Sequence, residues 1–316
     1  MKNKSLRRIA AAQRRGASHL ARRGKNAEAF LKGDRFMLHE LQIAATKARI
    51  LILEGVHAAK AGHPGGSLSC VDALTTLYFH EMKVYPLNPD YPDRDRFVLS
   101  KGHCAPALYA VLALKGFFPK EDIRLLRSIK GHMSGHPDMV HIKGVDMSTG
   151  SLGQGISTAV GMALAAKQLK KDYRTYTILG DGEMDEGQVW EAIMAAAKWK
   201  LDNLCAMVDV NGLQIDGRTE DVMPTHPLDR KFEAFNWHVI TIDGNDYDEI
   251  VDALTEARNT KGKPTVILLK TQKGRGVSFM EKAAEWHGKA PNDKQYELAI
   301  AELKAHLAGL EAVYGG

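Results

Sequence analysis

Apolar residues recur at three- and four-residue spacing through Leu38, Leu41, Ile43, Ala44, Ala48, Ile50, Leu51 and Leu53. This spacing predicts a long helix from about Phe36 that ends near Gly62-His63-Pro64. A second helix is expected from Ser69 or Asp72, carrying Leu74, Leu77 and Tyr78. Residues 96–100 are a short apolar run that reads as the first buried strand, and Gly102-His103 follows before a helix bearing Leu108, Val111, Leu112 and Leu114. After an irregular stretch at 131–152, an Ala-rich helix over 154–170 leads into a strand at 174–180. Helix 187–199, strands 204–210 and 237–242, helix 246–258, strand 264–270 and a charged helix near 293–308 complete the series. Repeated alternation of strand and helix implies an α/β fold, a mainly parallel sheet with helices on both faces, formed as one large domain. Residues 212–235 and 272–292 read as long polar loops, which in compact domains tend to be functional.

Composition narrows the class. In a chain of 316 residues, 44% hydrophobic and 26% charged, no apolar run approaches the roughly 20 residues of a membrane span, so a soluble enzyme-sized domain is expected. Cys70, Cys104 and Cys205 are scattered without a CxxC pair, which fits free thiols used for packing in a reducing, cytoplasmic compartment. The net charge of +5 divides into +9 on residues 1–33 and −4 on the rest. Residues 1–33 therefore read as a basic extension ahead of a domain at 34–316. A solvated, mobile, partly helical arm is one reading of it; an Arg-rich organellar presequence and a nucleic-acid tail are the others. No aromatic residue interleaves the charges before Phe30, so a stacking platform for nucleic acid is lacking and no nucleic-acid partner is expected.

The chemistry concentrates where strands end. Gly180-Asp181-Gly182 follows the apolar run Tyr176-Thr177-Ile178-Leu179, and Asp209-Val210-Asn211-Gly212 closes the next strand. Open parallel sheets bind ligands at the carboxyl ends of their strands. A carboxylate from Asp181 and an amide oxygen from Asn211 suit magnesium, which takes most of its remaining oxygens from phosphate and water. Glycine and aspartate are also ordinary turn residues, which is the alternative for either motif alone.

Four histidines stand in loop contexts at expected strand ends. Gly62-His63-Pro64 and Gly135-His136-Pro137 present an imidazole from a stiff backbone, because proline excludes its predecessor from helix. His103 follows Ser100-Lys101-Gly102, and His287 lies in Trp286-His287-Gly288. Together they offer groups that titrate near neutrality for moving protons among hydroxyls. By contrast, His19, His39, His57, His80 and His238 fall in helix or strand patterns or in the basic arm and read as structural. Ser148-Thr149-Gly150-Ser151-Leu152-Gly153-Gln154-Gly155 precedes a helix with free N–H groups and small residues, where a flat ring can approach.

These motifs, in this order from about residue 40 to 290, resemble the N-terminal, diphosphate-binding part of transketolases, and particularly the separate N-terminal subunit of split transketolases. The resemblance implies the thiamine diphosphate-binding fold and its diphosphate-binding domain. It implies that Asp181, Asn211 and the carbonyl of Leu213 hold magnesium, or calcium or manganese in its place. Gly180, Gly182 and His103 would contact the diphosphate, and Gly150 and Leu152 would lie against the cofactor rings. His63, His136 and His287 would bond sugar hydroxyls and move protons, with His287 also near the diphosphate. Glu186 matches a family glutamate at the subunit interface that links active sites; a favourable carboxylate at a helix N-terminus is the alternative. Two positions depart from the common pattern: Ser151 stands where proline is usual, and His287 follows Glu285-Trp286.

Transketolases activate the cofactor with a glutamate, and hold the sugar phosphate with arginines, from a following pyrimidine-binding domain. The resemblance therefore implies a partner subunit carrying that domain and a C-terminal domain, two copies of each chain, and a sugar or sugar-phosphate substrate. The implied reaction moves a two-carbon ketol unit from a ketose to an aldose. The rival readings are the α subunit of a 2-oxo-acid dehydrogenase and a non-catalytic binding or regulatory subunit of the same fold.

Overall fold

The structure is a computed structural model that describes residues 27–313, with side chains described from Arg35 onward. The basic extension expected over 1–33 thus falls almost wholly outside the described residues. Helix α1 (Ala27–Ala59) begins ahead of the expected Phe36. A compact unit starts at Leu41, and the description below concerns it alone.

Five strands form one sheet: β1 (Arg96–Leu99), β2 (Thr175–Gly180), β3 (Leu204–Val210), β4 (His238–Asp243) and β5 (Thr265–Lys270). Their order is β1-β2-β3-β5-β4, and every pairing is parallel. Alternate residues feed two cores, as the two-residue period of a strand dictates. Phe97, Leu99, Tyr176, Ile178, Met207 and Ile267 face one core with α1, α2 (Pro64–Thr76), α3 (Ala105–Lys115), α8 (Tyr247–Asn259) and α9 (Asp293–Ala312). Val98, Leu179, Ala206, Val208 and Val266 face the other, packed by α4 (Gln154–Gln168), α5 (Gly187–Lys198) and α7 (Leu228–Ala234). Both faces are covered, as expected, so the strands read as continuous apolar runs.

Two details differ from the sequence reading. Helix α2 starts at Pro64 rather than at Ser69 or Asp72, and every residue of it is buried. Proline suits the first helical position, where its missing N–H has no intrahelical partner, so Pro64 opens α2 instead of merely closing α1. The segment 212–235 is also not all loop: it folds α6 (Thr219–Val222) and α7, and Phe232 and Leu228 of α7 enter the core. Their spacing is too short to stand out as a period. Among the described residues no helix is long and apolar enough to cross a membrane.

Candidate active site

The carboxyl ends of β1, β2, β3 and β5 open on one cavity of about 320 Å³. Register brings its acidic floor together. Gly180 of β2 pairs with Asp209 of β3, so Asp181 and Asn211 leave adjacent strands within one residue of the same level. Asp181 is buried; its Oδ1 accepts from Gly182 N at 2.9 Å and its Oδ2 from Gly212 N at 2.7 Å. Burial, and then the neighbouring Asp209 carboxylate, push the Asp181 carboxyl up to about 6. A cation between these groups would relieve that cost.

Asn211 is oriented by its neighbours. Its Nδ2 donates to Asp209 Oδ2 at 3.0 Å, while Oδ1 accepts from Leu213 N at 3.1 Å and keeps a lone pair for the cavity. Leu213 also lines the cavity, but its carbonyl accepts from Lys273 Nζ at 3.1 Å. Three hard oxygens, one of them ionisable, fit a magnesium-type ion; the Leu213 carbonyl is the one for which that ion competes with a lysine.

His63, His103 and His287 form a triangle, with ring centroids 5.2, 5.5 and 5.1 Å apart. His136 joins at 6.4 Å from His63, at the rim. Only His103 follows a strand directly; His63 caps α2, and His136 and His287 come from long irregular segments. His287 Nδ1 lies 3.0 Å from Lys273 Nζ. With Lys273 charged, its ammonium only donates, so Nδ1 is the acceptor and the proton of the neutral ring sits on Nε2. His63 Nδ1 is buried with no hydrogen-bond partner among the described residues. The ring of His63 lines the cavity, while this nitrogen lies buried behind it.

The expectation of histidines titrating near neutrality needs correction in this state. Burial, then the nearby His103, lowers His63 to about 4, and burial with the Lys273 charge lowers His287 to about 3. His136 is lowered too, by burial and by Arg127. Each binds its proton less readily folded than unfolded, where histidine titrates near 6.5. Stability is therefore present above pH about 6.5 and falls as pH drops toward 4. We expect the urea midpoint of the cofactor-free chain to decline across that window, and the decline to be shallower in His63→Gln.

Gly150 and Leu152 line the same cavity, and their loop is held by bonds the sequence did not disclose. Glu183 is buried; its Oε1 accepts from Ser100 Oγ at 2.5 Å and Gly153 N at 2.9 Å, and its Oε2 from Gly180 N at 3.1 Å. One carboxylate thus ties the ends of β1 and β2 to the glycine-rich loop. A Cβ on Gly102 would fall 2.8 Å from Gly150 N, so the loop lies directly on the backbone beside His103 and presents a side-chain-free wall. That wall suits a flat ring.

Lys101 and Asp209 were also missed. Lys101 Nζ lies 2.5 Å from Asp209 Oδ2, both side chains being buried. Asp209 further accepts from Ser69 Oγ at 2.5 Å and from Thr271 Oγ1. A charged residue wedged between Ser100 and Gly102 after an apolar strand, and another between Gln272 and Gly274, are the signals that mark Lys101 and Lys273. Glu186 does not line the cavity: it is exposed at the N-cap of α5, its side chain makes no cap bond, and its stem packs on Gly153. Of the sequence-selected residues, the cavity gathers His63, His103, Gly150, Leu152, Gly180 and Asp181. It also gathers Gly182, Asn211, Leu213 and His287, with His136 at its edge.

Comparison with known proteins matches this geometry to one family. Residues 40–309 match the family described as transketolase, thiamine diphosphate binding domain. A 6-deoxy-6-sulfo-D-fructose transketolase subunit of Clostridium sp. is 49% identical over 265 residues, spanning 84% of this chain and 96% of the relative. An apulose-4-phosphate transketolase subunit of Phocaeicola vulgatus is 44% identical over 276 residues, spanning 87% of this chain and 98% of the relative. Transketolases of known structure superpose closely: that of Pichia stipitis gives a TM-score of 0.79 at 30% identity, covering 88% of this chain and 45% of the other. That of Leishmania mexicana gives 0.76 at 30% identity, covering 88% and 48%. The chain thus spans about half the length of the solved transketolases, and nearly all of the separate subunits. A five-stranded parallel sheet, a Gly-Asp-Gly and Asn pair on adjacent strands and a histidine ring above them agree with these matches, and the chain belongs to the transketolase family, as the N-terminal, thiamine diphosphate-binding subunit of a split enzyme.

Proposed function

We propose that this chain binds thiamine diphosphate through a divalent cation and, with a second chain, transfers a two-carbon ketol unit from a ketose to an aldose. The observation that carries the reading is the convergence of Asp181 and Asn211 with His63, His103 and His287 on one cavity. Asp181 Oδ2, Asn211 Oδ1 and the Leu213 carbonyl would hold magnesium, or manganese or calcium. Gly180, Gly182 and His103 would meet the diphosphate, and Gly150 and Leu152 the rings. Bound there, thiamine diphosphate would supply a nucleophilic thiazolium carbon and an electron sink for C–C cleavage.

The chain's own residues would position the sugar and handle its protons. His287 offers Nε2–H as a donor, because Lys273 occupies Nδ1. His63, which lines the cavity, would bond a hydroxyl, and His136 at the rim would bond one further along the sugar. Held neutral by burial, His63 and His287 can take up a proton as one is released, and an anionic cofactor beside them would raise their basicity toward neutrality. Glu186, exposed and outside the cavity, would meet another subunit and link active sites.

The pyrimidine-binding and C-terminal domains would come from the partner, two copies of each chain assembling in the cytoplasm, without nucleic acid or membrane. The names of both subunit relatives, which carry a sulfonated and a phosphorylated sugar, support an anionic sugar as substrate. Residues 1–33 would remain an appended basic arm.

The test mixes this chain with its pyrimidine-domain partner, thiamine diphosphate and magnesium, and measures two-carbon transfer from a panel of ketoses. Activity is expected only with both chains, to vanish on chelation and to return with magnesium or manganese. Full activity in this chain alone would overturn the shared-site reading, and pyruvate decarboxylation without ketol transfer would overturn the reaction.

A further inference from the structure

Two of the site histidines are tied to helix α3. The single turn Gly102–Cys104, which carries His103, runs straight into Ala105, the first residue of α3. One turn further along, Tyr109 is buried in the core. Its hydroxyl nevertheless finds a partner outside the helix: it donates to His136 O at 2.7 Å, and Ser134 Oγ donates to the same oxygen at 2.6 Å. Burial raises the Tyr109 hydroxyl well above its ordinary range, so it stays protonated and a donor at any working pH.

Both bonds fall on the one group through which that peptide can be fixed. Residue 137 is proline, so the peptide joining it to His136 has no N–H and only its carbonyl can be bonded. Proline also excludes His136 from the helical region, and the two hydroxyls set the carbonyl's direction within what remains. The next residues are held in turn: Pro137 O accepts from Thr149 N at 3.3 Å, and Met139 N donates to Ser148 Oγ at 3.0 Å. The His136 ring is thereby laid on the glycine-rich loop, where a Cβ on Gly150 would fall 3.3 Å from its Cγ and Cδ2. Gly150 and His103 both line the cavity, and the His63 ring stands 6.4 Å from that of His136.

We propose that Tyr109, assisted by Ser134, is a positioning residue for ketol transfer: it fixes the His136 backbone so that the imidazole stays over Gly150, at a set reach from His103. This rests on the reading above, in which His103 meets the diphosphate and His136 a sugar hydroxyl. Helix α3 then works as a spacer, because one rigid turn separates the residue that follows His103 from the residue that holds His136. Tyr109 is buried and does not line the cavity, so it acts through His136. Orientation of a bonding group is worth rate because small displacements of it are costly.

Tyr109→Phe keeps the packed ring and removes only the hydroxyl, and Ser134 is only half-buried, so neither change opens the core. In the holoenzyme assembled with its partner, Tyr109→Phe is expected to lower kcat/KM for two-carbon transfer about 3–10-fold, the range of one ordinary hydrogen bond, and Tyr109→Phe with Ser134→Ala about 10–100-fold. In a His136→Ala background the same changes should alter kcat/KM by less than about twofold, because no imidazole is left to misplace. Equal losses with and without His136, or no loss in the double variant, overturn the assignment. If the wild-type assembly transfers no ketol unit to any sugar, the functional reading fails, and the positioning is then judged on the full-length chain alone. The ring-proton signal of His136, identified by its absence in His136→Gln, is titrated with pH. Burial first, then the charges of Arg127 and His103, lower His136, and none of these side chains is altered. Its midpoint should lie below about 6.5 in the wild type and rise toward that value in the double variant, as the released ring meets water. An unchanged midpoint overturns the positioning.

Discussion

Asp181→Asn is expected to lower ketol-transfer activity of the assembled enzyme about 10³-fold and to abolish magnesium-dependent binding of thiamine diphosphate, without unfolding the chain. The size follows from the several kcal/mol that a bound cation contributes, at 1.36 kcal/mol for each factor of ten. Asparagine keeps the shape and one accepting oxygen but removes the only charge in the oxygen set. The fold survives for a reason visible in the titration. Burial and Asp209 raise the Asp181 carboxyl to about 6, against an ordinary 3.8, so the folded chain holds its proton more tightly than the unfolded one. Stability from this group is present below pH 3.8 and is lost as pH rises through about 6. At pH 8 the wild type thus carries a destabilising buried carboxylate that asparagine lacks. The gain is offset by placing an amide NH₂ against Gly182 N–H or Gly212 N–H, which costs about 1–3 kcal/mol. Calorimetric titration of cofactor with magnesium, beside a urea midpoint at pH 8, checks both halves. A variant that binds cofactor normally would remove Asp181 from the cation site.

Lys101→Met is expected to cost about 3–5 kcal/mol of stability, the usual loss on removing one partner of a buried ion pair. Lys101 and Asp209 are each almost wholly buried, and the carboxylate cannot reach water once the lysine is gone. Ser69, Thr271 and Asn211 still donate to it, which places the loss at the lower end of that range. Consequences reach the site as well. Lys101 Nζ also bonds Gly66 O at 3.2 Å, so the start of α2, the end of β1 and the end of β3 all loosen together. The urea midpoint of the cofactor-free chain reads the loss. A change under about 1 kcal/mol, the worth of a single ordinary hydrogen bond, would show that Asp209 is carried by its neutral donors alone.

Most of the architecture was legible because strands and helices of an α/β domain are each buried on a characteristic period. Ile178, Met207 and Ile267 alternate with Leu179, Ala206 and Val266 between two cores, so even the two-faced burial follows from the pattern. The start of α2 was misplaced because proline signals both an end and a beginning, and only the packing of the following turn decides between them. Helices α6 and α7 were missed because four and seven residues are too few to establish a period. The motif residues Asp181, Asn211 and the four histidines stood out by glycine and proline neighbours. Glu183, Lys101 and Lys273 sit beside glycines too but were passed over with Asp209, because their part is to hold the motif residues in place through contacts between distant segments.

Taken alone, the sequence determined the fold class, the strand-end placement of the Gly-Asp-Gly and Asn-Gly turns, and the family, since these depend on local periodicity and on short contiguous motifs. The tertiary structure decided what depends on contacts between distant segments. It set the β2–β3 register that brings Gly180 opposite Asp209 and the Lys273 bond that fixes the His287 tautomer. It also set the burial that drives His63 and His287 well below neutrality, and the bonds of Tyr109 and Ser134 to the His136 carbonyl. The physical reason is that register, desolvation and charge proximity belong to pairs of residues separated along the chain, and no single segment carries them.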